Sequence, residues 1–151
     1  MAKDINTEGV DYGVLNDLIG YQLRRAQITF FASFANRCAQ LDITPGLFGV
    51  IEIVQKNPGL TQTAIANALG NDRSAMVYAV DKLEKMNIIE RKQAVNDRRS
   101  YALSMTNQGK IFYDAILKEV LTHEEEFYSV LEEGEKDAML DMLKRFVSLS
   151  K

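Results

Sequence analysis

The stretch that decides the fold is Asn71-Asp72-Arg73-Ser74-Ala75-Met76-Val77-Tyr78-Ala79-Val80-Asp81-Lys82-Leu83-Glu84-Lys85-Met86, continued through to Thr106. Met76, Val77, Val80 and Leu83 share one face at helical spacing and leave Arg73, Ser74, Tyr78, Asp81 and Lys82 mostly outward. Ile88-Ile89-Glu90-Arg91-Lys92 and Tyr101-Ala102-Leu103-Ser104-Met105 read as two strands. Between them, Asn96-Asp97-Arg98-Arg99-Ser100 reads as a tight charged turn with arginines at its tip. A helix fits the major groove of DNA, and a thin basic turn fits the narrow minor groove, so the pair can address two grooves at once.

Upstream, Thr44-Pro45 starts a helix, with threonine as N-cap and proline at the first helical position. It runs to about Lys56, burying Leu47, Val50, Ile51 and Val54, and Asn57-Pro58-Gly59 ends it. Thr61 caps a short helix from Gln62 to Leu69 with Ile65 and Leu69 inward; Gly70 is its C-cap candidate, and Asn71 or Asp72 caps the next helix. Two helices joined by a tight glycine-containing turn form a helix-turn-helix pattern.

Further out, Val14 to about Gln40 reads as one long helix. One stripe runs through Leu15, Leu18, Ile19, Leu23, Ala26, Phe30 and Phe34, and a second through Ile28, Phe31, Ala35 and Cys38. Two stripes imply two buried faces, with Gly20 as a weak point inside. A helix of about 27 residues would be roughly 40 Å long, which points to packing on another chain. After the hairpin, Thr106 caps a helix carrying Ile111, Phe112, Ala115, Ile116 and Val120 and reaching about Leu131. Gly134 breaks the pattern, and a last helix carries Met139, Leu140, Met142, Leu143, Phe146 and Val147. The fold class is mainly α with a small β-hairpin wing. The expected organisation is an N-terminal dimerisation helix region at 1–43, a winged helix-turn-helix lobe at 44–106 and C-terminal dimerisation helices at 107–151.

The 151 residues suit one domain of ordinary size, or two small lobes sharing a core, and 46% of them are apolar, enough for a core. No run of about 18 apolar residues exists, so no membrane span is expected. Met1-Ala2-Lys3-Asp4-Ile5-Asn6 has no apolar core of a secretory signal, and the single cysteine fits a reducing cytoplasm. The net charge of −3 is unevenly spread. Residues 1–43 carry 4 basic and 5 acidic side chains, 44–106 carry 8 and 6, and 107–151 carry 6 and 10. The middle segment is therefore net positive, and a DNA binder needs a local basic footprint rather than a basic total.

These residues resemble the MarR family of bacterial winged-helix transcription regulators, in register from about Leu18 to Gly109. Asp97-Arg98-Arg99, then Leu103-Ser104-Met105-Thr106 and Gly109, match the family's Asp-x-Arg wing, its strand ending in leucine-threonine, and its following glycine, with Met105 in place of leucine. Leu60-Thr61-Gln62 and Asp72-Arg73-Ser74-Ala75-Met76-Val77 match the family's helix-turn-helix, as does Leu83-Glu84 leading into Ile88-Ile89-Glu90-Arg91. The resemblance implies a homodimer built on the first and last two helices. It implies double-stranded DNA as partner, with a pseudo-palindromic operator of two half-sites about one helical turn apart. It also implies repression as the usual outcome, and release by a small, often aromatic, anion.

On this reading Arg73, Ser74, Ala75 and Tyr78 form the DNA-facing side of the recognition helix, against the alternative of a solvated face. Thr61, Gln62 and Thr63 can hold a phosphate at a helix start, or Thr61 serves only as a cap. Arg98 and Arg99 enter the minor groove, with Asp97 orienting Arg99 or stiffening the turn, against the alternative of an ordinary charged hairpin. Arg24 and Arg25, near Tyr21 and Phe31 with Phe48 facing from the second helix, are a candidate grip for a small aromatic acid or an aromatic acyl-CoA; the alternative is a surface arginine or an interface salt bridge. Cys38 reads as a small buried residue, and His123 as a packing or surface residue rather than a metal ligand. No cofactor is implied. No Cys/His pair, Ser–His–Asp order or glycine-rich phosphate loop is present, so the chain does not read as an enzyme. A winged-helix adaptor that binds protein rather than DNA is the remaining alternative.

Overall fold

The computed structural model describes residues 8–150; the N-terminal segment considered for a secretory signal lies outside the described residues. Six helices and one hairpin follow in order: α1 (Ile19–Arg37), α2 (Pro45–Lys56), α3 (Gln62–Leu69), α4 (Arg73–Lys85), β1 (Ile89–Ala94), β2 (Asp97–Met105), α5 (Asn107–Tyr128) and α6 (Glu135–Val147). This is a mainly helical fold with a β-hairpin wing between long flanking helices.

Four helices start where the sequence provides a side-chain cap. Thr44 Oγ1 accepts from the Leu47 amide at 3.2 Å, Thr61 Oγ1 from Ala64 at 3.2 Å, Asp72 Oδ1 from Ala75 at 2.7 Å, and Thr106 Oγ1 from Gly109 at 2.8 Å. Each satisfies one amide that the first helical turn leaves without a partner. Gly70, at φ +68°, closes α3, and the Asn71 amide donates back to the Ala66 carbonyl at 3.0 Å.

The core is built by Val50, Ile51 and Val54 of α2, Ile65 of α3, Met76, Ala79, Val80 and Leu83 of α4, Ile88, Ile89 and Leu103 around the hairpin, and Ile116 of α5. Val77, expected on the inward face of α4, is exposed, and Ala79 takes that place. Positions 76, 79, 80 and 83 form an i, i+3, i+4, i+7 stripe, and residue 77 falls outside it.

β1 and β2 pair antiparallel, from Ile89 opposite Met105 to Gln93 opposite Tyr101. Residues 59–61 add a short third edge, with the Gly59 amide donating to Leu103 O and the Leu103 amide to Leu60 O, both at 2.9 Å. Ala94 then pairs with Asp97, so the hairpin turns on Val95-Asn96. The turn expected at Asn96–Ser100 is thus corrected. Asp97 already belongs to β2, and Arg98, Arg99 and Ser100 bulge from that strand without residues paired to them in the β1 register.

The first helix is shorter than its apolar periodicity implied. Gly13–Asp17 forms a separate 3-10 turn, Leu18 is extended at φ −93° and ψ 120°, and α1 begins at Ile19. Asparagine and aspartate have low helix propensity, which favours a break at Asn16-Asp17. Gly20 therefore sits at the start of α1, where it costs little, and nineteen residues give about 28 Å. Neither stripe is covered along its whole length within the chain: Phe34 of the first and Cys38 of the second are buried, whereas Ile19 of the first and Ile28 and Phe31 of the second are exposed. α5 ends at Tyr128 rather than near Leu131.

α5 is joined to the lobe at both levels. Gly109 lies so close to β1 that an added Cβ would fall 2.0 Å from the Ile88 carbonyl oxygen. One turn on, the Tyr113 hydroxyl donates to Glu52 at 2.6 Å, and holding that proton against a carboxylate pushes the phenol pKa up to about 12. Farther along, Arg37 of α1 pairs with Glu119 at 3.1 Å and with Glu126. His123 is fully buried among Phe30, Phe34 and Phe127, with Nε2 3.0 Å from Ser33 Oγ. Burial lowers its pKa and keeps the ring neutral, so its role is packing. Cys38 is buried as expected, and desolvation raises its thiol pKa. α6, by contrast, has no buried residue, and Met139, Leu140, Met142 and Phe146 stay exposed along it.

Candidate nucleic-acid interface

The Asp72 cap fixes where α4 begins, and the buried stripe from Met76 to Leu83 fixes its rotation. Arg73, Ser74, Ala75 and Tyr78 are consequently exposed on its N-terminal half, Tyr78 at 63%. The start of α3 lies alongside: Thr61 is consumed as a cap, Gln62 is half-buried and Thr63 is exposed. The Gln62 side-chain oxygen is buried without a hydrogen-bond partner among the described residues.

The wing contributes a bulge rather than a simple tip. Asp97 Oδ1 accepts from the Arg99 amide at 2.9 Å and Oδ2 from Ser100 Oγ at 3.0 Å. Asp97 therefore stiffens the backbone of the bulge and leaves the arginine side chains alone. The Arg98 carbonyl accepts from Gln93 Nε2 at 3.1 Å, pinning the bulge from the other strand. Arg73, Arg98 and Arg99 make no ion pair among the described residues, so three guanidinium groups are available to phosphates or base edges.

α3, α4 and the hairpin enclose a cleft of about 590 Å³ lined by Gln62, Thr63, Arg73, Arg91, Arg99 and Tyr101, among others. Apart from Arg91, these residues come from three separate stretches of sequence, and the cleft brings them together. The sequence places Arg91 on a strand of the hairpin without assigning it to the DNA-facing side. The signal is nonetheless present: Arg91 is two residues beyond the buried Ile89, so strand alternation puts both on the face toward α4.

The effector candidates are more scattered. Tyr21 and Arg25 share a cavity of about 450 Å³ with Tyr12, Asn16, Thr29 and Phe127. Phe31 lines a second, apolar cavity of about 470 Å³ between α1, the end of α5 and α6. Ala26 and Phe127 border both. Arg24 is exposed and lines neither, and Phe48 packs against the core from α2 and also lines neither. Among the described residues no three His, Cys, Asp or Glu side chains are placed to hold a metal ion, and no helix is long and apolar enough to cross a membrane.

A helix-turn-helix whose second helix exposes a polar N-terminal half beside a basic hairpin defines a winged helix-turn-helix protein of the DNA-binding kind. The MarR family model matches residues 43–101. A protein described as a transcriptional regulatory protein for the hcr operon of Thauera aromatica is 36% identical over 135 residues, 89% of this chain and 81% of its own length. The transcriptional repressor CouR bound to a 23-mer DNA duplex superposes with a TM-score of 0.86 at 35% identity, over 91% of this chain and 98% of that one. CouR bound to p-coumaroyl-CoA gives 0.84 at 32% identity, over 91% and 97%. The chain belongs to the MarR family of winged-helix transcriptional regulators, and it is a DNA-binding regulator rather than an enzyme.

Proposed function

We propose that this protein is a repressor that binds a pseudo-palindromic operator as a homodimer and is released by a small aromatic acid or an aromatic acyl-CoA. The observation that carries the reading is the cleft face itself. Arg73 on α4 and Arg99 on the wing bulge border one cleft, and both are free of ion pairs among the described residues. Arg73, Ser74 and Tyr78, beside Ala75, take the major-groove edge, and Arg98 and Arg99 take the minor groove beside it. Thr63 and Gln62 stand at the start of α3, where a phosphate can be held.

The homodimer reading is supported by apolar surface that one chain leaves uncovered. Ile19, Ile28 and Phe31 of α1 and Met139, Met142 and Phe146 of α6 are exposed, far more than scattered surface apolar residues require. The effector reading is supported by Arg25 beside Tyr21 in a cavity bordering the apolar one that holds Phe31. An anionic group at Arg25 and an aromatic tail in the apolar cavity suit that arrangement. Arg24 and Phe48 join such a site only through a second chain or a movement of α2. CouR, which is similar over most of its length, is a repressor seen with DNA and with p-coumaroyl-CoA.

Fluorescence anisotropy with the DNA upstream of the protein's own gene tests the reading, with aromatic acids and their coenzyme A thioesters added in turn. Selective binding that weakens steeply with salt, and is reversed by one class of ligand, supports it. Binding insensitive to sequence and to every such ligand contradicts it.

A further inference from the structure

We propose that Arg91 is a positioning residue that locks the wing to the recognition helix, so that the two groove contacts act as one unit. The proposal rests on the DNA-binding reading. Arg91 stands on β1 and reaches both neighbours of that strand. Its guanidinium bonds to Asp81, and its Nε lies 3.4 Å from Glu84 Oε2; both carboxylates are on α4, one turn apart. On the other side the guanidinium carbon sits 5.9 Å from the ring centre of Tyr101 on β2. One side chain thus contacts the recognition helix and both strands of the wing.

Its place along the strand gives this contact leverage. Ile89, two residues closer to the core, is fully packed, whereas Lys92 pairs with Glu90 on its own strand and Gln93 bonds to Arg98 across the hairpin. Among the described residues, Arg91 is the outermost position of β1 with an ion pair to α4. Residues 92–101, which carry the arginine bulge, project beyond it. The angle between the wing and α4 is therefore set at Arg91, with the buried Ile89 behind it. Its side chain is only 22% exposed, and the planar guanidinium presents separate, rigidly spaced nitrogens to the two carboxylates, where lysine would offer a single point charge.

Plain charge and positioning make opposite predictions here. Asp81 and Glu84 are carboxylates on the helix that faces DNA. If they act only as charge, removing them tightens binding and leaves the contribution of Arg99 unchanged. If they hold Arg91, and Arg91 holds the wing, removing them disconnects Arg99 from the helix.

The test is a double-mutant cycle measured by anisotropy on the tightest duplex selected from a random pool with the unaltered protein. Arg99→Ala alone is expected to weaken binding at least about fivefold, as loss of a specific arginine contact does. In the Asp81→Asn/Glu84→Gln background, and separately in Arg91→Lys, the same change is expected to cost less than about twofold. Asp81→Asn/Glu84→Gln leaves residue 91 an arginine, so it tests the idea even where Arg91 variants fold poorly. Amide exchange across residues 93–100 is expected to quicken in both backgrounds, with the α4 amides unchanged. A cost for Arg99→Ala that stays at about fivefold in both backgrounds would overturn the positioning role. A cost below about twofold in the unaltered protein would instead remove the minor-groove reading, and this proposal with it.

Discussion

Adding a single methyl group at Gly109 is expected to damage the junction between the wing and α5. Helix propensity alone argues the other way, because alanine in a helix is favoured over glycine by about 1 kcal/mol. The surroundings reverse the sign. A Cβ at position 109 falls 2.0 Å from the Ile88 carbonyl oxygen, 2.8 Å from its carbon and 3.0 Å from its Cα. A carbon and a carbonyl oxygen normally approach to about 3.3 Å at best, so α5 and the start of β1 must part by roughly 1.3 Å. All three contacts are with backbone, which cannot rotate aside. The separation strains the Thr106 amide to Ile88 O bond of 3.0 Å and the Thr106 hydroxyl to Asn87 O bond of 2.6 Å. Overpacking of this kind costs about 1–3 kcal/mol, and two weakened hydrogen bonds add about 1 kcal/mol each. Less the propensity gain, Gly109→Ala should destabilise the protein by about 2–4 kcal/mol. At about 2–4 °C per kcal/mol for a chain of this size, the melting temperature should fall by several degrees at fixed protein concentration. A melting temperature unchanged or raised by the substitution would refute the steric argument.

Three further outcomes are expected from the same structure. Asp72→Ala removes the cap of the recognition helix and should cost about 1 kcal/mol in urea unfolding; an unaltered midpoint would show that the 2.7 Å bond to the Ala75 amide carries no weight. His123 has a lowered pKa in the folded chain because burial disfavours its charged form. Its contribution is therefore intact above the unfolded-state value near 6.5 and is lost as pH falls below it, because the unfolded chain takes up the proton first. His123→Phe should flatten that part of the stability profile between about pH 7 and 5, and an identical slope in both proteins would exclude His123 as its source. Arg25→Gln should leave DNA affinity within about twofold and weaken release by aromatic acyl-CoA compounds; an unaltered ligand response would take Arg25 out of the effector site.

Local chemistry was legible in the sequence. Thr44, Thr61, Asp72 and Thr106 cap their helices because a hydroxyl or carboxylate three residues before an amide needs nothing else to do so. The basic arginine stretch after a short apolar strand and the order of elements around it were readable for the same reason. Features set by partners distant in sequence were not. The bulge at Arg98–Ser100 depends on cross-strand register, which places Asp97 opposite Ala94. The exchange of Val77 for Ala79 depends on which stripe of α4 meets α2. Apolar spacing continues through Asn16-Asp17, whereas the α-helix begins only at Ile19, so periodicity alone does not mark its start. Phe48 sits on the expected helix but faces the core rather than Arg24 and Arg25, since the rotation of α2 is fixed by Leu47, Val50, Ile51 and Val54.

Operator recognition through the arginine-bearing wing is tested most sharply by the affinity of the purified protein for the duplex upstream of its own gene. The comparison is a scrambled duplex of equal length, at low and moderate salt. Selective binding is expected, with an affinity that falls steeply with salt and drops at least about 1 kcal/mol with Arg99→Ala. Equal affinity for the two duplexes, or no loss with Arg99→Ala at fixed salt, would contradict that recognition.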